Sequence, residues 1–164
     1  MEIINKFFSK INMKQYYKII ILSCFVVIIF ILINQNIFTN GLNENHIKNI
    51  DIAGKIIKVE LALTAEEQEK GLSWREKIKD NEGMLFIFKE SGKNYFWMKN
   101  MNFPIDIIWI DSNFKVIFIK ENILPSSYPE TFGPDVDNKY VLEVKGGFSK
   151  ENNLKVGEIV KFLP

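Results

Sequence analysis

The sequence predicts a mainly β fold, α+β with one or two short helices, built as a small closed or partly open β-barrel and preceded by an N-terminal transmembrane helix. Three observations carry this expectation. Residues 19–33, IIILSCFVVIIFILI, hold no charge, and Ser23 is their one polar break. Between Lys55 and Pro164, seven short apolar runs alternate with turn residues, the spacing of short strands rather than of helices. No helical stretch of the length a strand–helix–strand crossover needs separates those runs, which favours a barrel over a parallel sheet.

Charge divides the chain. Lys6, Lys10, Lys14 and Lys18 against Glu2 give residues 1–40 a net +3, whereas residues 41–164, with 17 basic and 19 acidic groups, carry −2. The fifteen residues from Ile19 to Ile33 are short for a hydrocarbon layer of roughly 30 Å. Tyr16 and Tyr17 at the interface and a snorkelling Lys18 extend the span to about 27 Å. Basic residues ahead of the span place the N-terminus in the cytoplasm. The expected organisation is a cytoplasmic basic segment over 1–18, a signal-anchor in the lipid bilayer over 19–33, a juxtamembrane stalk over 34–54 and an extracytoplasmic domain over 55–164. A cleaved signal peptide releasing a secreted domain is the alternative. Asn34-Gln35-Asn36 after the apolar core fits poorly with the small residues that cleavage takes. Ile21-Leu22-Ser23-Cys24 loosely echoes a lipoprotein box, but most of the apolar core follows Cys24, so that cysteine reads as a lipid-facing side chain. His46, alone in a polar linker, reads as solvated.

Within the domain, Ile56–Leu63 alternates Ile57, Val59, Leu61 and Leu63 as a strand does. Thr64 caps a short helix, Glu67 completes the capping box and Gly71 ends it. Met84–Phe88, Tyr95–Lys99 and Ile105–Ile110 are predicted strands, and Asp111-Ser112-Asn113 is a hairpin turn into Lys115–Lys120. Tyr140–Val144 and Glu158–Leu163 add two strands, with one helical turn over Phe148–Asn153.

Composition excludes several chemistries. One cysteine and one histidine leave no disulfide framework and no Cys- or His-based metal centre. A net charge of +1 offers no clustered excess for a nucleic-acid partner. The domain has no Ser–His pair and no Gly-rich phosphate loop, and no cofactor is expected. What remains is the stretch around Phe96–Asp106. Lys99, Asn100 and Asp106 place a cation, an amide and a carboxyl near Pro104, a trio that can fix a hydroxylated or anionic ligand. The bland alternative is a loop held by its own polar side chains. Alternation puts Phe96, Met98 and Asn100 on one strand face and Trp97, Lys99 and Met101 on the other.

Taken together, the motifs resemble the domain of unknown function 192 family. They are Val59-Glu60-Leu61-Ala62, Glu67 with Gly71-Leu72 and Arg75, Glu82-Gly83-Met84-Leu85-Phe86 with Phe88, Phe96-Trp97-Met98-Lys99-Asn100, and Pro104-Ile105-Asp106 with Ile110-Asp111. Tyr140-Val141-Leu142-Glu143-Val144 with Gly147, and Lys155-Val156-Gly157-Glu158, match its closing part. The resemblance implies a compact β-rich bacterial or archaeal protein, often exported or membrane-anchored, with no activity established for the family. Ser73-Trp74 and Met101 depart from the usual pattern. Ser126-Ser127, where many members carry cysteine, argues against a thiol role.

The matching motifs supply the remaining candidates. Arg75 can clamp an anion bidentately or pin a loop by pairing with Glu82 or Asp106. Glu82 and Asp106 can form a carboxylate pair for acid–base work on a glycosidic bond. Trp97 can stack on a sugar ring or sit in the core. Met84, Met98 and Met101 can bind Cu(I) or fill core gaps. Two functions follow. The first is a membrane-anchored extracytoplasmic binding or accessory module for an envelope glycan or protein partner, using Arg75, Trp97, Lys99, Asn100 and Asp106. The second is an envelope glycan hydrolase or lyase using Glu82 and Asp106. The first is preferred, because no activated nucleophile or metal supports catalysis.

Overall fold

The computed structural model describes residues 13–39 and 44–164, and the chain divides into two compact units, residues 1–42 and 43–164. In the first, α1 (Met13–Thr39) is one helix of 27 residues. It runs on through residues 34–39, which the Asn-rich composition had assigned to the stalk. Its described side chains, Tyr16 to Phe30, are all exposed. The Ser23 hydroxyl donates to the Ile20 carbonyl at 2.8 Å, so the polar break in the apolar run is satisfied within the helix. Among the described residues no helix is long and apolar enough to cross a membrane. Lys6 and Lys10 lie outside the described residues.

The second unit is mainly β. Its elements are β1 (Asn49–Ile52), β2 (Lys55–Ala62), α2 (Ala65–Lys70), β3 (Glu82–Gly92), β4 (Phe96–Trp97), β5 (Ile105–Ile110), β6 (Val116–Ile123), β7 (Thr131–Phe132), β8 (Asn138–Lys145), α3 (Phe148–Glu151) and β9 (Lys161–Leu163). Seven strands form one sheet in the order β6-β5-β8-β3-β2-β1-β9, and β4 pairs with β7. The sheet curls into a half-barrel whose edges meet at one end. There Val116 N–H donates to the Glu158 carbonyl, Gly157 N–H to Val116 and Val160 N–H to Phe114, each at 2.8 Å.

One pairing departs from the sequence expectation. β2 and β3 are parallel, with Lys58 opposite Glu82 and Ala62 opposite Phe86. A crossover is present after all, because residues 63–81 supply its length although only α2 within them is helical. Thr64 caps α2 through a complete capping box and Gly71 closes it. Gln68 Nε2 then donates to the Ala62 and Ile87 carbonyls at 3.2 and 3.0 Å, fixing the helix to the end of β2 and the middle of β3. β1 falls inside the segment expected to be stalk. Its Ile50 and Ile52 are buried because β2 and β9 pair with it on either side.

β3, β5 and β8 are covered on both faces, which explains their near-continuous apolar runs. On one face Met84, Phe86, Ile107, Trp109 and Val141 pack with Leu72, Met98 and Met101 from the covering segment. The Met98 and Met101 thioethers are therefore core filling, as is Met84. On the other face Tyr140, Phe114 and Phe162 form an aromatic trio with ring centroids 4.9–5.5 Å apart. Gly83 lies close against β8: a Cβ there would stand 2.8 Å from the Glu143 carbonyl oxygen. Gly83→Ala is expected to cost about 2 kcal/mol through forced strand separation, read as a lower urea midpoint with unchanged slope.

Candidate functional site

Parity along three adjacent strands decides which acidic side chains can meet. Gly83 and Asp106 both align with Val144, while Met84 and Ile107 both align with Glu143. Laterally aligned residues share a face and sequence neighbours do not. Asp106 therefore lies on one face of the sheet, and Glu143, with Glu82 one residue from Gly83, on the other.

Glu143 occupies the middle of β8 and is 4% exposed. It accepts one hydrogen bond, from the Leu72 backbone N–H, and its Oε2 has no partner. Burial raises its pKa to about 8, against smaller opposing effects from the Leu72 donor and the nearby Arg75 charge. The carboxyl is accordingly a neutral acid at pH 7. Above it opens a cleft of about 280 Å³ lined by α2 and its C-terminal turn, by Phe88 and by the segment from Lys93 to Trp97. Gly71 makes the approach possible: with φ at +50°, its Cα carries no group between the backbone and Glu143 Oε2, where a Cβ would stand 3.6 Å away. Trp97 and Tyr95 at the mouth are 41% and 52% exposed. Phe96 between them turns inward, edge-on to Phe86 and Trp109 at 4.8 and 5.9 Å. The rim is held by the Trp109 indole N–H, which donates to the Asn94 carbonyl at 2.8 Å, and by Asn94 Nδ2 on Asn138 at 2.9 Å.

The sequence-derived candidates scatter around this cleft. Trp97 is at its mouth. Lys99 lies beside Trp97, its Nζ 5.2 Å from the ring centroid and 3.9 Å from Glu69. Asn100 is exposed in a left-handed turn (φ +58°), where its carbonyl accepts from Trp74 N–H at 2.9 Å; nothing brings its amide to Asp106. Arg75 pairs neither with Glu82 nor with Asp106. It grips Glu60 bidentately at 2.6 and 2.7 Å, because Glu60 aligns with Met84 on the face that the Arg75 segment covers.

Asp106 is a bracket. Fully buried, it accepts from the backbone N–H groups of Asn122, Gly147 and Ser149 at 2.7, 2.8 and 2.7 Å, joining β5, the end of β6 and the start of α3. Glu82 is ion-paired with Lys79 at 2.7 Å, and that ammonium holds its carboxylate below the usual range, the opposite of what a general acid needs. The proposed Glu82–Asp106 pair is thus not brought together. Glu143 escaped notice as a site, although a signal was present: a lone acid inside the apolar run Tyr140-Val141-Leu142-Glu143-Val144 is costly to bury without a partner.

The half-barrel belongs to a family of uncharacterised domains. Residues 47–162 match the DUF192 model, described as "Uncharacterized ACR, COG1430". The chain is a member of the DUF192 family. It is similar to a solved protein of Sinorhizobium meliloti described as a candidate transcription regulator, at 30% identity over 70% of this chain and 90% of that one, with a TM-score of 0.65. It is also similar to a protein of unknown function from Novosphingobium aromaticivorans, at 31% identity over 70% and 84% of the two chains, with a TM-score of 0.67. No match is found among curated proteins.

Two outcomes test the assignments. Asp106→Asn replaces an acceptor with a donor facing buried N–H groups and should cost about 3 kcal/mol, seen in chemical denaturation. Glu143 has a folded pKa above its unfolded value of 4.5, so between about pH 4.5 and 8 the folded state keeps a proton that the unfolded state releases. Stability attributable to this group falls by about 1.4 kcal/mol per pH unit across that window and levels off above it. The difference between wild type and Glu143→Gln should show this slope, since the amide cannot ionise.

Proposed function

We propose that the chain is a membrane-tethered binding module of the cell envelope, with α1 as the tether and the Glu143 cleft as the ligand site. The observation that carries the reading is the unpartnered, buried Glu143 oxygen opening beneath exposed Trp97 and Tyr95. A fold that served structure alone would gain by replacing this carboxyl with an apolar group. The tether rests on the uncharged run 19–33 behind Lys6, Lys10, Lys14 and Lys18, which sets the N-terminus in the cytoplasm and the domain outside. In α1 (Met13–Thr39) the run continues as helix at both ends, so backbone groups remain bonded where water is excluded.

The hydrolase reading with Glu82 and Asp106 as acid and base loses support, since the two lie on opposite faces and each already has its partners. The regulator description of the Sinorhizobium protein finds none here either: residues 41–164 carry 17 basic against 19 acidic groups, and DNA binding needs a basic surface.

The test is fractionation of cells expressing the full chain with a C-terminal epitope. The chain should sediment with membranes, resist a high-salt wash, dissolve in detergent and lose its epitope to protease added outside intact spheroplasts. Recovery of full-length chain in the cytosol after gentle lysis would overturn the proposal.

A further inference from the structure

We infer that the Glu143 cleft takes one ring of an uncharged, hydroxylated ligand of the saccharide type, with Trp97 and Tyr95 against the ring and the Glu143 carboxyl bonded to a ring oxygen. This deepens the binding-module reading and rests on it. Size, shape and charge each narrow the ligand.

The volume of about 280 Å³ falls at the lower limit of small-molecule sites, enough for one ring and open at the mouth for the rest of an oligomer. Tyr95 and Trp97 alternate with inward-facing Phe96, so both present flat apolar surface to whatever enters. Trp97 is further set edge-on against Tyr128, with centroids 6.1 Å apart, which orients the ring before a ligand arrives. At the floor, an acid held protonated by burial has a hydrogen to donate and a lone Oε2 lacking any partner. An oxygen that carries no charge completes that bond without ionising the acid.

Charge at the rim argues against a cation, and the acid at the floor against an anion. From α2 come Glu69 and Lys70, and from the β3–β4 connection Lys93, paired with Asp135 at 2.6 Å. Lys99 stands over one face of the Trp97 ring, which leaves a cationic ligand three lysines to pass. Beneath the floor, Arg75 is bound to Glu60 and Glu82 to Lys79, so neither Arg75 nor Glu82 is free to answer a ligand charge. An anion would find Lys93 and Lys99 already beside Asp135 and Glu69, and a floor that turns repulsive on ionising.

The experiment is a tryptophan-fluorescence titration of the full chain in detergent micelles with N-acetylglucosamine trisaccharide, maltotriose and tetramethylammonium, from pH 6 to 9.5. A saccharide is expected to give a saturable change. Its affinity should be steady below pH 7 and weaken about tenfold per unit above pH 8. Glu143→Gln, whose amide cannot ionise, should lose the pH dependence. Trp97→Ala should weaken binding at least tenfold, and Trp74→Phe should leave it unchanged, since Trp74 does not line the cleft. Saccharide affinity that is flat with pH in wild type, or tetramethylammonium binding that strengthens as pH rises, would overturn the inference. So would the absence of saccharide binding by a chain that fractionates as a tethered outer domain; in that case the module reading survives and the ligand class does not.

Discussion

A carboxyl set into a strand that is covered on both faces must be surrounded by donors or kept neutral, since an isolated buried charge costs more than a domain of this size can spare. This half-barrel meets that constraint in both ways on neighbouring strands. Asp106 on β5 gathers three backbone N–H groups and in doing so ties α3 and the end of β6 to the sheet. Glu143 on β8 has one donor, an unpartnered oxygen and a pKa raised to about 8. Two acids in similar strands therefore have opposite fates: one closes the fold, the other stays neutral and half-partnered at the floor of a cleft.

The cleft above Glu143 follows from the parallel crossover. Because β2 and β3 run the same way, the chain must travel back across one face of the sheet between them. That return places α2 and Gly71 directly over Glu143. Gln68 anchors the helix to both strands, and the absent side chain at Gly71 keeps its backbone from crowding the carboxyl, where a Cβ would stand 3.6 Å from Oε2. The β4–β7 pair then brings Trp97 to the rim. Arg75, gripping Glu60, holds the remainder of the covering segment and contributes a background charge rather than a contact.

Much of the fold is legible locally. Ile105–Ile110 emerges as β5 with the expected bounds, and Thr64, Glu67 and Gly71 cap α2 as their spacing implies. Asp111 forms its turn through Oδ1, which accepts from Asn113 and Lys115 N–H at 2.8 and 2.9 Å. What escaped depends on distant partners. β1 is four residues long in an Asn-rich stretch and exists because β2 and β9 flank it. The β2–β3 direction is set by a crossover with little helix in it. Trp97, in an apolar run, is exposed because β4 holds only two residues and lies outside the main sheet. Asp106 and Arg75 read as site residues by type, and only the three-dimensional register reveals that their partners are structural.

The protonation state of Glu143 is the point on which the account of the cleft turns. Carbon-13 NMR of the glutamate side-chain carboxyls, with Glu143 assigned by the Glu143→Gln spectrum, measures it directly across pH 3 to 10. A titration midpoint near 8 is expected. A midpoint close to 4.5, the value for an unperturbed glutamate, would mean that the carboxyl is hydrated and charged, and the account of the cleft would fail.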